Sequence, residues 1–175
     1  MEELVSRRAM VAALPGGTLF LASWLNAAEQ SYTPKFFAPD DFAALQEFSE
    51  LLIPSDEFPG AREARCAEYI DFVVNASADE PNVQSNWRKA MEAVKQTGFY
   101  TATPERRLDL VSEMSQPELS PDAQHPAYFA YRLIKRQTAF AFYTSKPGLI
   151  QTLDYKGNSY NMSFPACNHP EHQKV

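Results

Sequence analysis

The longest predicted helix has the sequence PAYFAYRLIKRQTAFAFY and runs from Pro126 to Tyr143. Its six aromatic rings lie on more than one side of the helix, and Arg132, Lys135 and Arg136 form a basic patch. A surface helix needs only one apolar stripe, so the additional aromatic sides must be covered by something. Neighbouring helices and the tail of the chain are one candidate cover, and a partner protein is the other.

Four shorter helices are predicted upstream, because apolar residues recur there at helical spacing. They cover residues 39–53, 61–78, 85–97 and a segment of about twelve residues that starts at Thr103. Thr103 is the expected N-cap of this fourth helix, and Pro104 follows in its first turn. Asp40 and Asp41 are placed to cap and charge the first turn of the first helix.

The apolar stripes of these helices assign residues to the core or to solvent. In the second helix, Ile70 and Val74 belong to the apolar stripe, whereas Asp71 lies opposite it on the polar side. In the fourth helix, Leu108 and Met114 are expected on the buried side. Helical periodicity fades beyond residue 148. The prediction is an all-α fold of about five helices in one domain, residues 36–175, with a long irregular C-terminal arm at about residues 148–175.

The composition excludes several function classes. The chain has 175 residues, with 16 Lys+Arg against 22 Asp+Glu and a net charge of −6, so a nucleic-acid partner is not expected. Six glycines in total leave no Gly-rich nucleotide loop, and no haem, iron–sulfur or nucleophile motif occurs. We therefore expect no cofactor in this chain, no metal and no catalytic residues.

The N-terminus carries a twin-arginine export pattern over residues 1–28. Arg7 and Arg8 follow a serine and precede a moderately apolar run that Pro15 interrupts. This run is too short and too interrupted to span a bilayer. The expected localisation is the periplasm, with the segment either cleaved near Ala28 or retained as a loose membrane tether. The alternative is a first helix that merely carries two basic residues.

The chain contains two cysteines, Cys66 and Cys167. In an oxidising compartment such a pair suggests a disulfide, although the sequence does not show that the two sulfur atoms meet. Cys167, His169 and His172 also form the densest cluster of metal-ligating residue types. A tail that is pinned to a partner, with the histidines as hydrogen-bonding groups, is the favoured interpretation of this cluster.

Several segments together resemble the gluconate 2-dehydrogenase subunit 3 family, the small subunits of bacterial flavin-dependent sugar dehydrogenases. The segments stand in the order and spacing of that family and are Ser6–Arg8, Leu51–Pro54, Pro59–Ala61, Tyr69–Asp71, Phe142–Ser145, Leu153–Gly157 and Cys167–His172. The resemblance implies a non-catalytic subunit beside a large flavoprotein of the glucose-methanol-choline (GMC) type, which holds FAD and the substrate site. A cytochrome c subunit often accepts the electrons.

The resemblance also implies a role in export. The large subunit of such complexes typically lacks an export signal, so the small subunit helps it mature and escorts it through the twin-arginine machinery, whose receptor would read Arg7 and Arg8. Aromatic anchors dominate the binding energy of interfaces. The residues expected at the interface with the large subunit are Phe140, Phe142, Tyr143, Tyr155, Phe164, His169 and His172.

Two other functions compete with this interpretation. The first is a stand-alone metal-dependent periplasmic enzyme that uses Cys167, His169 and His172. Stoichiometric zinc or iron in the purified protein would favour it. The second is a free periplasmic binder of small molecules, which would behave as a soluble, monodisperse protein on its own.

Overall fold

The computed structural model describes residues 32–120 and 122–157, and no strand occurs among them. The five α-helices are α1 (Pro39–Leu52), α2 (Cys66–Ala76), α3 (Pro81–Gln96), α4 (Pro104–Leu119) and α5 (Tyr128–Thr144). A 3₁₀-helix (Phe99–Thr101) joins α3 to α4, and a π-helix (Pro147–Thr152) follows α5. The all-α prediction with about five helices is confirmed.

Helix α5 lies at the centre of the fold. It packs against each of the other four α-helices and against the π-helix. One side of α5 is buried and carries Ala130, Tyr131, Ile134, Thr138, Ala141 and Phe142. Burying a large apolar side chain contributes roughly 1.5–3 kcal/mol. The packing of the bundle therefore depends on this one side of α5.

The core around α5 is mostly apolar and contains one polar pair between helices. The ring of Phe48 on α1 lies 5.3 Å from that of Phe99. Near this pair, Ser49 on α1 and Thr138 on α5 share a hydrogen bond of 3.0 Å between their hydroxyl oxygens, and both residues are buried. A buried hydroxyl that is hydrogen-bonded avoids the cost of desolvation, so this pair fixes how α1 lies on α5.

Asp71 holds the segment that precedes α1. Its carboxylate is fully buried and accepts backbone N–H bonds from Lys35 at 2.8 Å, Phe36 at 3.0 Å and Phe37 at 2.9 Å. Beside this anchor, the Phe37 ring packs edge-on against Trp87 at 5.6 Å. The prediction that Asp71 lies on a polar, solvent-facing side of α2 is wrong, because a buried carboxylate satisfies three donors from another segment.

The corner between α1 and α2 is organised by Glu50. Its carboxylate accepts hydrogen bonds from Ser55 N at 3.0 Å, Ser55 Oγ at 2.9 Å and Arg62 N at 2.8 Å. A Cβ atom added at Gly60 would lie 2.5 Å from the Ser55 backbone nitrogen, so only glycine fits there. Partial burial acts to raise the pKa of Glu50, but the hydrogen bonds from Arg62 and Ser55 outweigh it and hold that pKa below its usual value.

Several helix bounds differ from the sequence prediction. Helix α2 begins at Cys66 rather than at residue 61, because Arg65 adopts a left-handed backbone with φ of +56°. Helix α3 begins at Pro81, four residues earlier than predicted, since proline suits the first turn of a helix. Thr103 caps α4 as predicted, accepting from Arg106 N, but the helix continues to Leu119.

Two residue assignments also need correction. Leu108 is exposed on α4, whereas Met114 is buried as predicted. Asp41 caps no helix. Its carboxylate instead accepts a hydrogen bond from the Tyr100 hydroxyl at 2.7 Å, and the N-cap residue of α1 is Ala38, which provides no side-chain cap.

The arm predicted to be irregular from residue 148 begins with the π-helix. Gly148 permits this turn, because an added Cβ atom would lie 2.0 Å from the Phe142 carbonyl oxygen. Residues 158–175 of the arm, and the export segment 1–28, lie outside the described residues.

Replacing Asp71 by Asn tests its role as an anchor. The variant presents an amide NH₂ group to backbone donors and loses charge-assisted hydrogen bonds, so the free energy of unfolding should fall by about 2–4 kcal/mol. Urea unfolding of the full chain measures the change. Asp109→Asn on the exposed side of α4 is the matched control and should change stability by less than about 0.5 kcal/mol. Equal effects at the two positions would contradict the anchor.

Glu50→Gln tests the corner through its pH dependence. A carboxylate whose pKa is lowered by folding contributes stability above its unfolded pKa of about 4.3 and loses it as the pH falls through the folded value. At pH 7 the free energy of unfolding of the wild type should exceed that of the variant by about 1 kcal/mol. This difference in stability should become smaller below pH 4. The control is Glu57→Gln, an exposed residue of the same corner, which should change the free energy of unfolding by less than about 0.5 kcal/mol. A pH-independent gap for Glu50→Gln would refute the assignment.

Candidate functional site

An exposed patch of four aromatic side chains lies where α2 and α5 pack together. Phe72 is 57% exposed, Phe140 54%, Tyr143 47% and Tyr69 39%. We call these four residues the aromatic face. The rings of Tyr69 and Phe140 approach each other, with 6.2 Å between their centroids, which joins the two helices at the surface.

Helix geometry explains how the aromatic face arises. Tyr69 and Phe72 are three residues apart on α2, and Phe140 and Tyr143 are three residues apart on α5. Residues at this spacing share one side of a helix. Since α2 and α5 are in contact, the two pairs form one surface. Large exposed aromatic groups that cluster in this way are typical of protein interaction sites.

The structure separates the predicted interface residues into three groups. Phe140, Tyr143 and Tyr155 are exposed, and Tyr155 follows the π-helix. Phe142 is only 1% exposed, so its assignment to the interface is wrong. The remaining three predicted residues, Phe164, His169 and His172, lie outside the described residues.

Phe142 belongs to the core because it lies on the buried side of α5. It packs in a cluster with Ala61, Cys66 and Ala141, and Ile53 adds a partly buried side chain to the cluster. On a helix, a step of two residues turns the side chain by about 200°, so Phe140 and Phe142 face opposite directions. The dense aromatic run of α5 thus serves the core and the surface at once.

Sequence reasoning missed Tyr69 and Phe72. Both lie away from the apolar stripe of α2, and each could have been an isolated exposed aromatic residue, which carries no functional signal. The spacing of three residues was the available hint. Only the packing of α2 on α5 shows that these rings lie on the same surface as Phe140.

Cys66 is buried at the start of α2. Burial raises the pKa of its thiol to about 12, and the negative charges of Glu50 and Glu68 act in the same direction. A thiol with this pKa is protonated and unreactive at neutral pH. Its predicted disulfide partner, Cys167, lies outside the described residues, so the pairing stays a prediction.

The described residues offer no metal site. Among residues 32–120 and 122–157, no group of three or more His, Cys, Asp or Glu side chains could hold a metal ion. The cluster of Cys167, His169 and His172 lies outside that part of the chain. In the same part, no helix combines the length and apolar character that a membrane span requires.

Comparison of the chain with models of known protein families shows which family it belongs to. The model of gluconate 2-dehydrogenase subunit 3 matches residues 39–161. The chain belongs to this family. Membership confirms the resemblance seen in the sequence and makes the chain a subunit of a gluconate 2-dehydrogenase complex. The matched range includes all five α-helices and the π-helix, and with them the aromatic face. The search of curated proteins found no match, and neither did the search of solved structures.

Two alanine substitutions in this small subunit, two residues apart, separate surface from core. Phe142→Ala removes a buried ring and should lower the free energy of unfolding by about 3–5 kcal/mol. Phe140→Ala removes an exposed ring and should lower it by less than about 1 kcal/mol. Chemical unfolding followed by circular dichroism measures both. Comparable losses at the two positions would show that α5 does not bury Phe142 and expose Phe140.

Proposed function

We propose that this chain is a non-catalytic small subunit of a periplasmic FAD-dependent sugar or sugar-acid dehydrogenase. It stabilises the catalytic subunit, a large flavoprotein of the GMC type, and escorts it through twin-arginine export. The observation that carries the proposal is the aromatic face, an exposed cluster of rings on a family member that is a subunit of a complex.

The aromatic face suits an obligate-type interface. Tyrosine and phenylalanine bury a large area at a small cost in side-chain entropy, since each ring has two rotatable bonds. The four rings also stand on two helices that pack together, so little backbone ordering is needed on binding. Interfaces of lasting complexes exceed about 2,000 Å², and Tyr155 adds a further exposed ring beyond the π-helix.

The catalytic chemistry belongs to the partner in this proposal. The flavoprotein subunit holds FAD and the sugar, and a cytochrome c subunit accepts the electrons. The small subunit contributes binding energy, which makes the stability of the flavoprotein depend on the complex by mass action.

The anchoring of residues 35–37 supports the escort role. The three hydrogen bonds to Asp71 fasten the chain that follows the export segment to the folded bundle. Arg7 and Arg8 lie outside the described residues, about 27 residues before this anchor. A signal on the same chain as a folded domain can carry a partner bound to that domain through a machinery that transports folded proteins.

Charged substitutions in the aromatic face should abolish assembly. In Phe72→Asp/Phe140→Asp, two carboxylates replace rings that would be buried at the interface, so co-purification of the flavoprotein subunit should fall at least tenfold. The matched control is Leu108→Asp on α4, where a residue of similar exposure lies outside the face. Circular dichroism verifies that each variant is folded. Undiminished co-purification of the double variant would contradict the proposed interface.

Conservative substitution of the arginine pair tests export separately from assembly. Arg7→Lys/Arg8→Lys keeps the charge but removes the residues that the export receptor would read, so the flavoprotein subunit should remain in the cytoplasm. Immunoblots of periplasmic and cytoplasmic fractions measure this, and Arg62→Lys/Arg106→Lys is the control for two equal changes elsewhere. Normal periplasmic levels of the flavoprotein subunit in the first variant would refute the escort role.

A further inference from the structure

A basic groove runs along the outer side of α5 on either side of Phe129. One part, of about 580 Å³, is lined by α5 residues with Asn86 and Glu118 at its edges. The other part is lined by residues of α3 and shares Phe129 with the first. Phe129 is 46% exposed, so a large ring stands between two concave surfaces.

The groove is basic although the whole chain carries a net charge of −6. Its lining holds five basic side chains against two acidic ones. The basic residues are Arg88, Lys89, Arg132, Lys135 and Arg136. Lys135 is paired with Glu118, which neutralises one charge of each sign.

The remaining basic groups are available to a partner. Within residues 32–120 and 122–157, Lys89, Arg132 and Arg136 form no ion pair. Arg132 lies over the ring of Tyr128, at 5.7 Å from its centroid, and Arg88 lies over that of Phe36 at 4.7 Å. Stacking on an aromatic ring orients a guanidinium group and leaves its N–H donors free for carboxylates.

The groove is continuous with the aromatic face. Along α5, Phe129, Arg132, Arg136, Phe140 and Tyr143 follow each other at steps of three or four residues, which places them on one side of the helix. From Phe129 to Tyr143 this side is about 21 Å long at the rise of an α-helix. A protein that covers Phe140 and Tyr143 therefore lies directly beside the groove.

We propose that the basic groove binds an acidic segment of the flavoprotein subunit, with Phe129 inserted between its side chains. This inference rests on the proposed function. A groove of several hundred cubic ångströms accommodates a short peptide segment. Concave surfaces on both sides of the ring fit an extended peptide segment more closely than a flat bilayer surface, which favours a protein segment over anionic lipid. Complementary charge at this end of the interface then fixes the orientation of the partner on α5.

Charge reversal in the assembled complex tests the proposal. Arg132→Glu/Arg136→Glu should weaken binding of the flavoprotein subunit about tenfold at 50 mM salt. The loss should shrink several-fold at 500 mM salt, where exposed charges are screened. Phe129→Ala should weaken binding at both salt concentrations, since its contribution is apolar. The control Arg62→Glu/Arg106→Glu makes the same change in net charge outside the groove. It should leave the affinity for the flavoprotein subunit within about twofold of wild type.

The possible results distinguish this inference from the proposed function. A complex that forms with wild-type affinity and salt dependence in Arg132→Glu/Arg136→Glu overturns the groove proposal and leaves the aromatic interface intact. The proposal is also overturned, and the groove is assigned to lipid, if the wild-type chain binds phosphatidylglycerol vesicles, the variant Arg132→Glu/Arg136→Glu does not, and the variant still binds the flavoprotein subunit with unchanged affinity. Failure of the wild-type chain to bind the flavoprotein subunit refutes the proposed function and the groove with it.

Discussion

The packing of α5 against four other helices is the constraint on which the rest of the structure depends. Because one helix must supply a contact to each neighbour, its buried side is wide and holds large residues such as Phe142 and Ile134. Its outer side has no helix left to cover it among the described residues, yet it carries rings rather than only polar groups. A helix that is central to a small bundle and carries exposed aromatic rings on its outer side has that side available for another protein.

Helix α2 connects this central packing to the segment that precedes α1 and to the aromatic face. Its inner side carries Asp71, which fastens residues 35–37, and its outer side carries Tyr69 and Phe72. The same short helix thus anchors the chain that follows the export segment and supplies half of the aromatic face. In the proposed function these two roles belong together. A bundle that folds correctly holds residues 35–37 in place and completes the surface that binds the cargo.

The sequence predicted the helical class and much of the core, since residues such as Ile70 and Val74 repeat at helical spacing and are buried. It failed where tertiary contact decides the outcome. Asp71 was predicted to face solvent because its three hydrogen-bond donors lie 34 to 36 residues earlier in the chain, where the local helical pattern gives no sign of them. The sequence did not distinguish buried Phe142 from exposed Phe140, because the neighbouring helices decide which side of α5 is buried. Tyr69 and Phe72 became part of a site only through the contact between α2 and α5.

Hydroxyl-radical footprinting of the small subunit, alone and in complex with the flavoprotein subunit, tests the central claim most directly. Oxidation of exposed aromatic side chains depends on their solvent accessibility. Binding should protect Tyr69, Phe72, Phe140 and Tyr143 at least fivefold, while Phe58 and Leu108, exposed elsewhere, keep their oxidation rates. If the four rings of the aromatic face were oxidised equally fast in the free and bound states, the flavoprotein subunit would bind elsewhere and the aromatic face would not be its docking surface.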